Sequence, residues 1–191
     1  PSHVENTPWL TAEKNNPQFT LFNNVYSCVW YTVPVLEHAL TESNFYNNKE
    51  FNESISIIDM AKKIGYKTYW FSNQGTISDV DTPITLVAKT SDYSVWLEDR
   101  RKNTDKISYD EDLVFLLKQV NPSTNNFVVI HIMGSHENAK NRFPDAFTKF
   151  GNKETNDVET NYDNSIAYTD YVLQKIYEYG KTHLNLQAMV Y

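Results

Sequence analysis

Asn126–His136 reads NFVVIHIMGSH, and the fold follows from how that stretch is taken. Phe127, Val128, Val129 and Ile130 form an apolar, β-branched run, flanked by the polar turn-forming cluster Asn121–Asn126. A run of that kind predicts a strand, 126–132, buried on both faces as in the middle of a parallel sheet. It gives way to His131, Met133, Gly134, Ser135 and His136. In open α/β sheets ligands bind outside the carboxyl ends of the strands, which is where these histidines fall. Histidine is the commonest metal ligand and proton-transfer group. The plainer alternative is a buried strand followed by a turn in which two histidines happen to occur.

Outward from that strand, helical and strand patterns alternate. Tyr66–Ser72 (YKTYWFS) reads as a second strand ending in the turn Asn73-Gln74-Gly75. A helix precedes it, with Ser54 as its cap, Ile55, Ile58, Met60 and Ala61 on its buried side, and Gly65 closing it. Helices are also expected over Thr82–Lys89, Tyr109–Val120 and from Asn161 to about Tyr179. In Tyr109–Val120 the acids Asp110, Glu111 and Asp112 occupy the first turn, where the helix dipole favours them. A short helix is expected near Trp9–Lys14, and further strands over Phe19–Val25, Val95–Leu97 and Leu184–Tyr191. Residues 137–160 read as a long, irregular polar loop, which in a compact domain is functional or disordered. The alternation predicts an α/β fold, a layered α/β/α arrangement with a mostly parallel central sheet. No internal repeat or low-complexity linker divides the chain, so 1–191 is expected to be a single domain.

Composition narrows the partners. The 191 residues carry a formal net charge of -7 with acids spread throughout, and no basic stripe is present. Phosphate neutralisation needs a basic face, so nucleic acid is not an expected partner. Aromatic residues make up 14% of the chain, which argues for a packed core rather than disorder. Cys28 is the single cysteine, so no internal disulfide can form. No apolar run approaches the ~20 residues that span a bilayer. The chain opens Pro-Ser-His without an initiator Met, and an interior piece of a longer protein is the expectation.

From Thr32 the apolar positions Val33, Leu36, Ala39 and Leu40 follow helical spacing, with Pro34 in the first turn. Thr32 is therefore an N-cap or first-turn residue. A hydroxyl there has the dipole and free N–H groups beside it, which suit an incoming phosphate or sulfate. Unaided it is a poor nucleophile, and a metal or base must help remove its proton. The commoner fate of such a residue is plain capping.

Four segments occur in the order seen in one family: NNVYSCVWYTVPVLEHALT, SIIDMAKKIGYKTYWFSNQ, VVIHIMGSH with RFP shortly after, and NYDNSIAYTDYVL. In these the chain resembles the bacterial phosphoethanolamine transferases of the alkaline phosphatase/sulfatase superfamily. It is most similar to the branch that modifies lipid A, lipooligosaccharide core or other periplasmic acceptors. The resemblance implies a sulfatase-like fold, and a zinc-dependent reaction that draws phosphoethanolamine from phosphatidylethanolamine through a phospho-threonine intermediate. It places the nucleophile, also a zinc ligand, at Thr32. His131 and His136 correspond to histidines beside the phosphate or a second zinc, and Asn73 and Gln74 to polar positions near the substrate phosphate. Asn164 falls in a segment whose role in the family is structural.

The resemblance also implies an inner-membrane protein with this domain facing the periplasm, joined to a membrane-spanning part not in this chain. The family's metal-binding Glu would precede residue 1 and its Asp-His pair would follow Tyr191, so a partial catalytic domain, truncated at both ends and inactive alone, is expected. Two other readings stay open: a sulfatase-like hydrolase that uses water as acceptor, and a non-catalytic α/β binding module. His38, His3 and His183 read as packing or incidental residues. Trp9, Trp70 and Trp96 read as core, and Trp30 as a possible lining for a lipid or headgroup pocket.

Overall fold

The computed structural model describes residues 4–27, 29–75, 82–97 and 107–191. His3, Cys28 and the charged loop Arg100–Lys106 lie outside these residues. The chain forms two compact units, one from Asn24–Lys106 and Val120–His131, the other from Pro1–Asn23, Ile107–Gln119 and Ile132–Tyr191.

The first unit holds the sheet. Strands β1 (Lys67–Ser72), β2 (Tyr93–Trp96) and β3 (Asn126–His131) are all parallel, in the order β2-β1-β3. The α/β expectation with a parallel sheet holds, but the centre shifts. β1 is the strand flanked on both sides and is buried from Thr68 to Ser72, whereas β3 is half-buried along its length. Its apolar run signals a strand correctly; its place in the sheet depends on a pairing that the run does not encode.

Side chains alternate across β1. Trp70 packs in a core with Ile58, Ile84, Val87 and Ala88. Ile58 comes from α3 (Ile57–Lys63), and the other three from α4 (Pro83–Lys89). Val33, Leu36 and Leu40 of α2 (Thr32–Leu40) pack against the same core, as do Phe127 and Val129 of β3. Each fully buried apolar side chain here contributes about 1.5–3 kcal/mol.

Helix α3 is capped by Ser56, two residues later than the Ser54 expectation. The Ser56 hydroxyl accepts from Asp59 N–H at 3.1 Å, and the Asp59 carboxylate accepts from Ser56 N–H, a closed capping box. The shift turns Met60 and Ile55 outward, and Ile58 and Ala61 alone of the four expected residues are buried. At the other end Gly65 takes φ +88, its N–H donating to Lys62 C=O while Tyr66 N–H donates to Ala61 C=O. That is a Schellman closure. Thr82 caps α4 through Thr85 N–H, with Pro83 in its first turn as expected.

The second unit is built on α6 (Val158–His183), which starts at the Asp157 cap and buries Tyr168, Val172, Leu173 and Ile176. Helix α1 (Pro8–Glu13) has no cap of its own; Asp170 of α6 accepts from Trp9 and Leu10 N–H at 2.8 and 3.1 Å. Residues 137–157 are irregular as expected, with 3-10 turns only at Ala139–Asn141 and Asp145–Phe147, but they are fastened by internal hydrogen bonds. Asn164 is buried and accepts from Lys149 and Phe150 N–H while donating to Phe150 and Thr160 C=O. Lys153 reaches Phe143 C=O at 2.7 Å and Asp145 at 2.6 Å. These bonds use every donor and acceptor of the Asn164 amide, so the polar composition of the loop is spent on internal fastening.

Two expected strands are absent. Phe19–Val25 and Leu184–Tyr191 are not in strand conformation. Both carry several apolar residues but pair with no strand among the described residues, and an unpaired strand leaves its backbone groups to water. The helix expected over Tyr109–Val120 is shorter: α5 is Asp112–Leu116, followed by a 3-10 turn at Leu117–Gln119.

Candidate functional site

The carboxyl end of the sheet gathers three of the residues expected there. Ser72 and His131 are register partners on adjacent strands, on the face that carries Trp70 and Val129. Asn73 N–H continues the ladder to His131 C=O at 2.9 Å. Ser72 Oγ lies 3.1 Å from His131 Nδ1; it donates to Gln74 C=O at 3.0 Å and accepts from Gln74 N–H at 3.1 Å. A serine hydroxyl has one proton. With that proton on Gln74 C=O, His131 Nδ1 is the donor to Ser72. Trp70 meets the imidazole edge-on at 5.9 Å between centroids. His131, Asn73 and Gln74 are thus one hydrogen-bonded group, with Ser72 at its centre.

Thr32 is the first residue of α2 and is exposed. The N-cap is Tyr31, extended at φ -101, and it provides no side-chain cap. The Thr32 hydroxyl is thus not used for capping, and it has no hydrogen-bond partner among the described residues. The helix dipole favours negative charge beside it. Val33, the next residue, packs on the core that contains Trp70, so α2 is anchored to the face on which His131 and Ser72 lie. Trp30 is 84% exposed and stacks on Tyr31 with 4.1 Å between ring centroids. His38, further along α2, is tied to Ser43 C=O at 2.9 Å.

His136 belongs to the other unit and is exposed. The peptide that leads to it is held by Asp110, whose two carboxylate oxygens accept from Met133 and Gly134 N–H at 2.8 Å each. Hydrogen bonds of this charged type contribute about 1.5–3 kcal/mol apiece. The sequence puts Asp110 in a helical first turn serving the dipole; instead it precedes α5 and faces the loop after β3. Ser72 and Asp110 are the residues that sequence reasoning missed. A polar residue closing an otherwise aromatic strand is a signal for Ser72, but its partner depends on strand register. For Asp110 the pattern carries no signal, because the contact spans more than twenty positions.

The donor set does not by itself hold a metal: among the described residues no three His, Cys, Asp or Glu side chains come together. Zinc takes about four ligands, and Thr32 would supply one.

The sulfatase family profile matches residues 1–189. The chain belongs to the sulfatase family. This sulfatase-family chain is 30% identical over 185 residues to phosphoethanolamine transferase EptC of Escherichia coli (strain K12), covering 90% of this chain and 32% of that protein. It is 33% identical over 152 residues to phosphoethanolamine transferase CptA of Salmonella typhimurium, covering 78% of this chain and 26% of the relative. A crystal structure of the C-terminal periplasmic domain of Escherichia coli EptC, in complex with Zn, superposes with a TM-score of 0.80 at 29% identity, over 92% of this chain and 53% of that domain. The chain spans about a third of the length of the curated relatives it matches. The sulfatase-like α/β fold expected from the four segments is therefore the fold found.

Proposed function

We propose that the protein carrying this chain is a phosphoethanolamine transferase, that 1–191 is part of its catalytic domain, and that Thr32 is its nucleophile. The observation that carries the reading is the 30% identity with Escherichia coli EptC through 90% of the chain. The proposed donor is phosphatidylethanolamine. The proposed acceptor is lipid A, lipooligosaccharide core or another periplasmic hydroxyl or phosphate, which puts the domain on the periplasmic side of the inner membrane. Zinc belongs to this reading as Thr32's metal partner. Since the described residues do not assemble its site, the steps below concern this chain's own groups.

Thr32 Oγ attacks the phosphorus of the donor phosphodiester, and the bond from phosphorus to the diacylglycerol oxygen breaks. Diacylglycerol leaves with a proton, and phosphoethanolamine stays esterified to Thr32. An acceptor oxygen then attacks the same phosphorus and the Thr32 hydroxyl is restored. The N-terminus of α2 favours the charge on the phosphoryl oxygens. His131, oriented by Ser72, and His136 are the proposed phosphate contacts and proton carriers, with Asn73 and Gln74 beside His131.

The test incubates the intact protein with phosphatidylethanolamine and lipid A, then follows Thr32 by peptide mass spectrometry. A phosphoethanolamine adduct on Thr32 that is discharged by acceptor is expected. Thr32→Ala should remove the adduct and lower transfer on the order of 10⁴-fold or more. Adduct formation with release to water and no transfer would replace the transferase by a hydrolase. Full transfer by Thr32→Ala would remove Thr32 as the nucleophile. Absence of both adduct and transfer with the intact wild type would leave the binding-module reading.

A further inference from the structure

We infer that Asp110 is a positioning residue for His136. This rests on the reading of His136 as a phosphate contact, and adds to it a group that reads from sequence as helix decoration. Asp110 is 3% exposed, and its carboxylate spans two successive backbone amides, Met133 and Gly134. Gly134 stands at φ +59, a left-handed turn in the backbone two residues before His136. A turn of that kind sets the direction in which the chain continues, and two bonds to one carboxylate hold both of its peptide planes.

The clamp is itself rigidly mounted. Leu113 N–H donates to Asp110 C=O at 3.1 Å, Asp112 N–H to Tyr109 C=O at 2.9 Å, and the Asp112 carboxylate accepts from Tyr109 N–H at 3.2 Å. That self-bonded turn is fixed to α6 at two points. Tyr171 hydroxyl donates to Glu111 at 2.8 Å, and the Tyr109 ring meets Tyr168 edge-on at 6.3 Å. The second of these, the Tyr109–Tyr168 ring contact, joins the long helix to the Asp110 turn without a long flexible side chain. A short carboxylate suits that purpose. Asparagine retains one acceptor oxygen and turns an NH₂ group toward the second amide, so it cannot hold both.

The test is a double-mutant cycle in the intact protein, with transfer from phosphatidylethanolamine as the readout and a thermal melt of each variant. Asp110→Asn is expected to lower kcat on the order of 10²-fold, as misplacement of a contact by about 1 Å does, with little change in KM. In the His136→Ala background the same substitution is expected to cost at most a few-fold, because its effect runs through His136. An equal loss in both backgrounds would overturn the inference while leaving His136 functional. No loss from His136→Ala alone would remove the phosphate-contact reading instead. Where Asp110→Asn does not fold, Asp110→Glu and Asp110→Ser go through the same cycle. If every folded variant keeps full transfer, Asp110 does not position the loop and the inference falls.

Discussion

His131 and Ser72 illustrate how much of a site can rest on one hydroxyl. The Ser72 proton is committed to Gln74 C=O, so the imidazole must bring its own proton to Nδ1. Ser72→Ala would remove that acceptor and leave Nδ1 and Gln74 N–H to find others. With His131 as the proposed phosphate contact, the expected result is a loss in transfer kcat/KM of roughly tenfold. Nitrogen-15 NMR of the wild-type protein should find His131 protonated on Nδ1, and the Ser72→Ala spectrum should show that preference weakened. An unchanged tautomer and unchanged kcat/KM would mean that the strand alone orients the ring.

Among the elements, the start of β1 holds a comparable junction. Asp92 precedes β2 and accepts from Thr68 N–H at 2.8 Å and Thr68 Oγ at 3.0 Å, with Lys67 Nζ 3.3 Å away. Those donors, the Thr68 amide first, hold its carboxyl below the ordinary value of 3.8 against a smaller opposing desolvation. A carboxylate with a lowered folded-state pKa stabilises the fold in full above the unfolded value, and that stability is lost as the pH falls through the folded value. Urea midpoints should therefore drop as the pH falls below about 4, more steeply for the wild type than for Asp92→Asn. Parallel profiles for the two would remove Asp92 as a contributor.

The elements also show what the residues announce and what they do not. Helices α2, α4 and α6 were legible because apolar spacing and cap chemistry act within a few positions. The ends of α3 and α5 were not, because a choice between Ser54 and Ser56, or between an α-turn and a 3-10 turn, is decided by packing. Short apolar segments such as Phe19–Val25 form strands only when a partner edge is beside them. Thr32, His131, Asn73 and Gln74 stood out by residue type and position. Ser72 and Asp110 act through register and long-range contact, which a linear pattern does not contain.

For the molecule as a whole, each compact unit is assembled from separated stretches of chain. Neither can complete itself before the polypeptide has been laid down through β3, so folding depends on contacts distant in sequence and is expected to be slow for the size. Metal content belongs to this scale as well. With no three-ligand cluster among the described residues, purified 1–191 should hold well below one equivalent of zinc, against the roughly four ligands that a stable site requires. Elemental analysis after dialysis checks this, and one tightly retained zinc per chain would refute it.

Gly65, the residue that closes α3, can be addressed through chirality. It sits at φ +88, and a side chain built on it would meet nothing within 4 Å. Space is therefore no obstacle to a methyl group there; only its handedness is. In a semisynthetic protein, D-alanine at position 65 accepts the positive φ at ease and narrows the unfolded ensemble, for a gain of about 0.4–1 kcal/mol. The L-enantiomer at the same position loses about 1 kcal/mol to backbone strain. Two proteins of identical composition and mass would then melt on opposite sides of the parent, separated by the mirror image of one carbon centre.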